Sequence, residues 1–152
     1  MNYKVKIKEI EPIRVAYMKY SGFVTEANKV FPNVFKTIRG KTNGSPFFIY
    51  LSMNPKTKIG EIELCVPTEK TTNTNGIEIK LTSRIKALCI THIGTYENLL
   101  DGYKAIKKYA DYNKITIVQP FREVFIKGPG MVLRGNPNKY ITEIQFPILE
   151  DQ

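Results

Sequence analysis

The feature that most constrains this chain is that it repeats itself. Ile77, Ile79 and Lys80 match Val5, Ile7 and Lys8 at an offset of 72 residues. Ile85-Lys86 matches Ile13-Arg14, and Gly94 matches Gly22, at the same offset. Farther on, Val124-Phe125 answers Ile49-Tyr50, and Glu143-x-x-x-Pro147 answers Glu63-x-x-x-Pro67, as the offset grows to 75 and then 80. Self-similarity of this kind marks one supersecondary unit written twice, with longer loops in the second copy. A unit of about 70 residues buries little apolar surface alone, so the two copies are expected to fold together.

Within each copy the hydrophobic period switches from two to 3.6 and back. Val5 and Ile7 alternate with lysines as in a half-buried strand, Glu11-Pro12 interrupts, and Ile13 to Tyr20 resumes as strand. Ala27, Val30, Phe31, Val34, Phe35 and Ile38 then follow a helical period from about Thr25, a plausible N-cap, to Arg39. Pro32 either kinks this helix or begins it after a looser turn. Strands at Phe47–Leu51 and Glu61–Val66 follow. The second copy reads the same way: a helix from about Tyr96 to Asp111, capped by Thr95 and with Leu99, Leu100, Tyr103, Ile106 and Ala110 on one face, then strands Gln119–Ile126 and Tyr140–Pro147. The predicted fold is α+β. It consists of duplicated strand–helix–strand–strand units, 1–68 and 76–150, joined by a Thr/Asn-rich linker at 69–75 into a single domain, 1–152. A pseudo-twofold would relate the copies. An antiparallel sheet would carry both helices on one side and leave a ligand groove on the other. Clefts between such units are common ligand sites.

The strand Gln119–Ile126 carries the chemistry. Alternation puts Phe121, Glu123 and Phe125 on one face. Glu123 thus stands between two phenyl rings, where partial desolvation disfavours its charged form and raises its pKa. Such an acid can pair with a ligand cation or exchange a proton. Its equivalent in the first copy is Phe48, so the two halves of the groove would differ where a ligand needs asymmetry. The aromatic set around the groove is Tyr17, Tyr20, Phe48, Tyr50, Tyr96, Phe121, Phe125 and Tyr140, of which Tyr17, Phe48, Tyr50, Phe121 and Phe125 are the ligand-binding candidates. The tyrosines are favoured, because a buried hydroxyl needs a polar partner. Glu63 and Glu143 occupy equivalent places in both copies, which fits a structural role, such as bonding a neighbouring backbone, as readily as a functional one.

Composition removes other classes. The net charge of +9, from 23 basic and 14 acidic residues, is spread along the chain without a basic tail. With no helix-turn-helix, zinc-finger or RNA-recognition motif, it reads as a solvated surface rather than a nucleic-acid interface. No apolar run approaches the ~20 residues of a membrane span, and the N-terminus lacks a signal-peptide core, so a cytoplasmic location without membrane partners is expected. The two cysteines, Cys65 and Cys89, are read as buried free thiols. Cys89-x-x-His92 on a strand points its side chains to opposite faces, and with one histidine in the chain no metal site or other cofactor is expected. No Gly-x-Ser-x-Gly elbow accompanies His92, and Gly128-Pro129-Gly130 lacks the ending of a phosphate loop. That stretch reads as a turn able to form a flap.

The order of these motifs resembles a known family. Val15-Ala16-Tyr17 running into Gly22, Gly94-x-Tyr96, Arg122-Glu123-Val124-Phe125 and Tyr140-Ile141-Thr142-Glu143-Ile144 before Pro147 are similar to the GyrI-like small-molecule-binding domains. These are also the effector-binding domains of AraC- and MerR-type bacterial regulators. Lys127 to Met131 with Gly135-Asn136-Pro137 resembles the stand-alone branch. The resemblance implies a duplicated α+β unit with a central groove. It also implies that Glu123 faces hydrophobic or lipophilic cationic compounds, as in multidrug-sensing members. Some stand-alone members are similar to hydrolases that open cyclopropanes of DNA-alkylating natural products. That likeness would make Glu123 catalytic with an aromatic partner, here Tyr140, since the chain has no tryptophan. No DNA-binding segment precedes the domain in this sequence, which speaks against a transcription-factor role in cis. The alternative function is a protein-interaction module such as an inhibitor of DNA gyrase.

Overall fold

Among the described residues the order is strand–strand–helix–strand–strand twice over, with the expected first strand of each copy parted in two, and the repeat and the compact units do not share their boundaries. The computed structural model describes residues 3–72, 74–128 and 135–150. The chain divides into two compact units, Pro12–Ser83 and Met1–Glu11 together with Arg84–Gln152. The first unit holds β2 (Arg14–Phe23), α1 (Ala27–Val30), α2 (Pro32–Thr37), β3 (Phe47–Met53), β4 (Ile59–Pro67) and β5 (Glu78–Leu81). The second holds β1 (Lys6–Ile10), β6 (Ile85–Ile93), α3 (Leu99–Tyr112), β7 (Phe121–Lys127) and β8 (Ile141–Pro147). Strand order is β3-β4-β2-β5 in the first and β1-β6-β8-β7 in the second, with antiparallel pairing, and the fold is α+β. The leading strand of each sequence repeat therefore pairs in the unit built from the other repeat: β1 lies on β6, and β5 lies on β2.

That exchange explains Glu63 and Glu143. Lys8 on β1 donates to Glu143 on β8 at 2.6 Å, and Gln145 Nε2 donates to the other carboxylate oxygen at 2.5 Å. Lys80 on β5 donates to Glu63 on β4 in the same manner, and its ammonium lies 4.4 Å from the centre of the Tyr17 ring. The two acids are partners of the incoming strands' lysines rather than of backbone amides. The hydrogen bond from Lys8 to Glu143 raises the lysine's pKa, against a smaller lowering by burial.

Both units enter their helices by one device. Tyr20 donates from its hydroxyl to the Phe23 carbonyl at 2.6 Å, and His92, 72 residues later, bonds the Thr95 carbonyl through Nε2 at 2.9 Å. With that nitrogen donating, Nδ1 accepts from the Tyr3 hydroxyl at 2.8 Å. Gly22 and Gly94 have φ of 147° and 133°, which a side chain rarely adopts, and a Cβ on Gly22 would stand 3.0 Å from the Tyr20 hydroxyl. Thr25 and Thr95 do not cap: Thr25 lies inside a 3-10 turn, and the side chain of Thr95 makes no cap bond. Pro32 divides the first helix into α1 and α2 while helical dihedrals continue through Phe31, so it stands at the start of α2, where its missing N–H costs nothing.

Each unit has its own core under its helices. Val34 and Ile38 cover Ala16, Val66 and Ile77 in the first, with Phe31, Phe35, Met18 and Ile79 at the margin. Leu99, Ile106 and Ala110 of α3 cover Leu88, Ile90 and Ile144 in the second. Leu100 departs from its expected place on that face and is 60% exposed. Gly102 takes the buried position instead, because a Cβ there would meet Ile90 Cδ1 at 2.7 Å and Ile144 Cδ1 at 3.1 Å. Ile7 likewise turns outward on β1, which is the terminal strand in its unit's order.

Cys65 and Cys89 are free and buried. Burial pushes the Cys89 thiol up to about 12, with the Glu143 charge adding and Lys8 opposing. The native protein should therefore show no fast-reacting thiol to an aromatic disulfide reagent at neutral pH, and both on unfolding. Between the thiol's ordinary 9.0 and about 12, the unfolded chain has lost a proton that the native chain keeps. Stability should fall as pH rises through that window. Cys89→Ala should flatten the fall; an unchanged slope in denaturant midpoints would contradict this.

Candidate functional site

The β7 strand presents Phe121, Glu123 and Phe125 on one face, as alternation requires, and that face lies under α3. Tyr103 of α3 donates its hydroxyl to Glu123 Oε2. The Tyr103 ring stands edge-on to Phe121 at 5.4 Å and to Phe146 of β8 at 5.7 Å, and Phe121 stacks on Phe146 at 4.9 Å. The expectation that the acid faces away from the helix is thus corrected. Period two tells which residues share a face, but all of Phe121, Arg122 and Glu123 are buried, so the pattern does not tell which face the helix covers.

Around Glu123 the second unit gathers a second aromatic set. Tyr96, in the 3-10 turn that precedes α3, packs against Phe125 at 5.8 Å and against Tyr140 at 5.2 Å. Tyr96 is 37% exposed, yet burial of its phenol, with Tyr140 and the Glu123 carboxylate adding, pushes its pKa up to about 12. Tyr140 is buried just before β8. Gly128 closes the ring set: a Cβ there would lie 2.8 Å from the Tyr96 hydroxyl. The flap expected at Gly128-Pro129-Gly130 otherwise falls outside the described residues. Gly128→Ala should push Tyr96 outward and bring its titration down from about 12 toward 10. Alkaline difference spectroscopy at the phenolate band would show one late-titrating tyrosine moving earlier; a late tyrosine that stays in place would refute this packing.

The first-copy candidates lie in the first unit and split between the two faces of its strands. Phe48 and Tyr50 are on the helix face, where Phe48 stands 5.0 Å from Phe31 and 6.3 Å from Tyr50. Tyr17 is on the other face, donating to Glu78 at 3.2 Å beside Lys80. A single alternation rule could have separated them, since Tyr17 pairs with Cys65 and Phe48 with Leu64 on β4. Sequence reasoning took Tyr103 for a core residue of the helix. The signal available was its position: Tyr103 is the one polar-tipped residue among the helix-face residues Leu99, Tyr103, Ile106 and Ala110. Among the described residues no group of three or more His, Cys, Asp or Glu side chains is placed to hold a metal, and no helix is long and apolar enough to cross a membrane.

The profile of the GyrI-like small molecule binding domain matches residues 3–149. The chain belongs to the GyrI-like family. Solved structures agree on the fold of this GyrI-like chain. The EcmrR C-terminal domain superposes with a TM-score of 0.81 at 22% identity, over 99% of this chain and 100% of that one. EcmrR in its complex with DNA gives 0.84 at 21% identity over 98% of this chain, which spans only 58% of the EcmrR chain. SAV2435 bound to tetraphenylphosphonium gives 0.65 at 14% identity, covering 98% and 94%. A hydrolase encoded by lin2189 from Listeria innocua gives 0.65 at 9% identity, covering 96% and 92%. No curated protein sequence matches the chain. The GyrI-like domain is a small-molecule-binding fold, and the candidate acid and its rings lie on one helix-covered face of it.

Proposed function

We propose that this GyrI-like chain, residues 1–152 acting as one cytoplasmic domain, binds hydrophobic or cationic small molecules through the face that carries Glu123. The observation that supports this is a carboxylate only 8% exposed, set among Phe121, Tyr103, Tyr96 and Phe125. A buried carboxylate is costly without a donor or a cation, and aromatic faces attract cations. Glu123 supplies the countercharge, and Phe121, Phe125 and Tyr140 supply the apolar walls. In the first unit Phe48 and Tyr50 offer a comparable aromatic surface, and Tyr17, on the other face, completes the set of ligand-binding candidates. SAV2435, a structural relative, is described with a lipophilic cation bound. The test is a fluorescence titration with an aromatic cation, competed by tetraphenylphosphonium. Saturable binding that weakens in Phe121→Ala is the expected result, and a flat titration would sink the reading.

The Glu123–Tyr103 hydrogen bond favours a second reading, hydrolysis of cyclopropanoid genotoxins. An ionised Glu123 can take a proton from water as the water opens a strained ring, with Tyr103 orienting the carboxylate and Tyr140 the substrate or water. A similar fold in Listeria innocua belongs to a hydrolase.

A further inference from the structure

One hydroxyl on the same face is left without a partner. Thr142 is 0% exposed, and its Oγ1 has no hydrogen-bond partner among the described residues. It sits on β8 directly opposite Phe125 on β7 and His92 on β6. Directly opposite side chains stand about 4.5–5.5 Å apart at Cβ. Alternation places Thr142 on the face of Ile144 and Phe146, which is the face of α3, Glu123 and the Tyr96–Phe125 ring pair. His92 cannot serve it, because both ring nitrogens are engaged, one with Tyr3 and one with Thr95.

A buried hydroxyl without a hydrogen bond is a standing cost, and native structures keep few of them. Those they keep concentrate where something else supplies the partner. The most exposed ring of the adjoining set is Tyr96, which packs against both Phe125 and Tyr140. Tyr96 thus packs on Phe125, the residue directly opposite Thr142 on β7. We propose that Thr142 is a ligand-binding residue of the Glu123 site, reached when the Tyr96 ring swings aside. It would donate a hydrogen bond to an oxygen acceptor on the ligand. This rests on the proposed binding of cations at Glu123 and narrows the ligand class. The preferred compound has an apolar aromatic body, a positive charge for Glu123, and an ether or carbonyl oxygen on one arm for Thr142. A cation with hydrocarbon arms alone leaves the hydroxyl unserved and binds less tightly.

The test uses a matched pair, triphenylphosphonium cations carrying a fourth para-methoxyphenyl or para-ethylphenyl arm, similar in size and differing in one ether oxygen. Wild-type protein should prefer the methoxy compound by about 5- to 10-fold, the worth of one neutral hydrogen bond. Thr142→Val keeps the branched shape and removes the hydroxyl. It should erase that preference while leaving the ethyl compound's affinity within about two-fold, the additive expectation for an unmade bond. Without ligand, Thr142→Val should also raise the melting temperature by a few degrees in a chain of this size. A preference that survives Thr142→Val, or no preference in wild type, overturns the inference and leaves cation binding at Glu123 standing. If neither compound binds, the binding proposal fails and the inference with it. A melting temperature that falls in Thr142→Val shows that the hydroxyl is already bonded, and that too overturns it.

Discussion

Glu123→Gln is expected to weaken binding of a lipophilic aromatic cation by at least about 30-fold, because truncating one side of a desolvated charge pair costs on the order of 2–5 kcal/mol. The substitution keeps the side-chain shape and the contact with Tyr103, which can still donate to the amide oxygen. A neutral aromatic compound of similar shape should lose little. Tyr103→Phe keeps both the charge and the ring that packs on Phe121 and Phe146, so cation affinity should persist in it. The two variants thus separate the two readings: a binder needs the charge and tolerates loss of the phenol, whereas a hydrolase loses turnover in both. Isothermal titration of wild type and both variants with one cation and one neutral analogue makes the comparison. Glu63→Gln and Glu143→Gln, whose carboxylates are committed to Lys80 and Lys8, serve as controls for loss of a buried acid elsewhere. Cation affinity in Glu123→Gln equal to wild type would leave the β7 acid a structural residue.

A large effect on stability is expected at Gly60, outside either core. Gly60 on β4 lies opposite Met53 on β3, next to the register shift between Tyr50 and Ser52. A Cβ on Gly60 would overlap the Ser52 carbonyl oxygen and stand 3.1 Å from the Met53 Cα, both backbone atoms. Backbone cannot rotate aside as a side chain can, so Gly60→Ala must unpair or shift the hairpin. We expect a loss of about 3 kcal/mol, at the upper end of overpacking costs. In a chain of this size that lowers the melting temperature by roughly 6–12 °C. Gly102→Ala is the comparison. It meets only the flexible ends of Ile90 and Ile144, and alanine gains up to about 1 kcal/mol of helix propensity over glycine. Its net change should be small. A Gly60→Ala protein that melts with wild type would show that the bulge is not fixed by this glycine.

Much of the fold was legible because the chain states it twice. The strands, the order of elements and the long second helix could be read from periodicity, and the duplicated glycines at 22 and 94 marked both helix entrances. What stayed hidden depends on partners far along the chain. That β1 pairs with β6 follows from long-range ladders, which leave no trace in the local pattern of Val5, Ile7 and their lysines. The pairing of Lys8 with Glu143 spans 135 residues and could not be read from either neighbourhood. At the candidate site the alternation of Phe121, Glu123 and Phe125 was readable, but the face under α3 was not, because both faces of β7 begin buried. Tyr103 was hidden by its own ring, which packs as a core residue would while its hydroxyl serves the acid. Thr142 was hidden because a threonine in a strand is ordinary and only a full count of hydrogen bonds sets it apart.

The exchanged leading strands also set a timetable for the growing chain. Every strand of the Pro12–Ser83 unit, β5 included, has been synthesised once residue 83 is in place. Residues 1–11 fare differently. They are made before their own unit, so β1 has no ladder to join until β6 exists, and Lys8 has no carboxylate until residue 143 is made. At about 5–20 residues per second, that is a wait of several seconds or more for a bare strand. Lys4, Lys6 and Lys8 keep such a strand charged while it waits, which is how exposed edges are protected from pairing with the wrong chain.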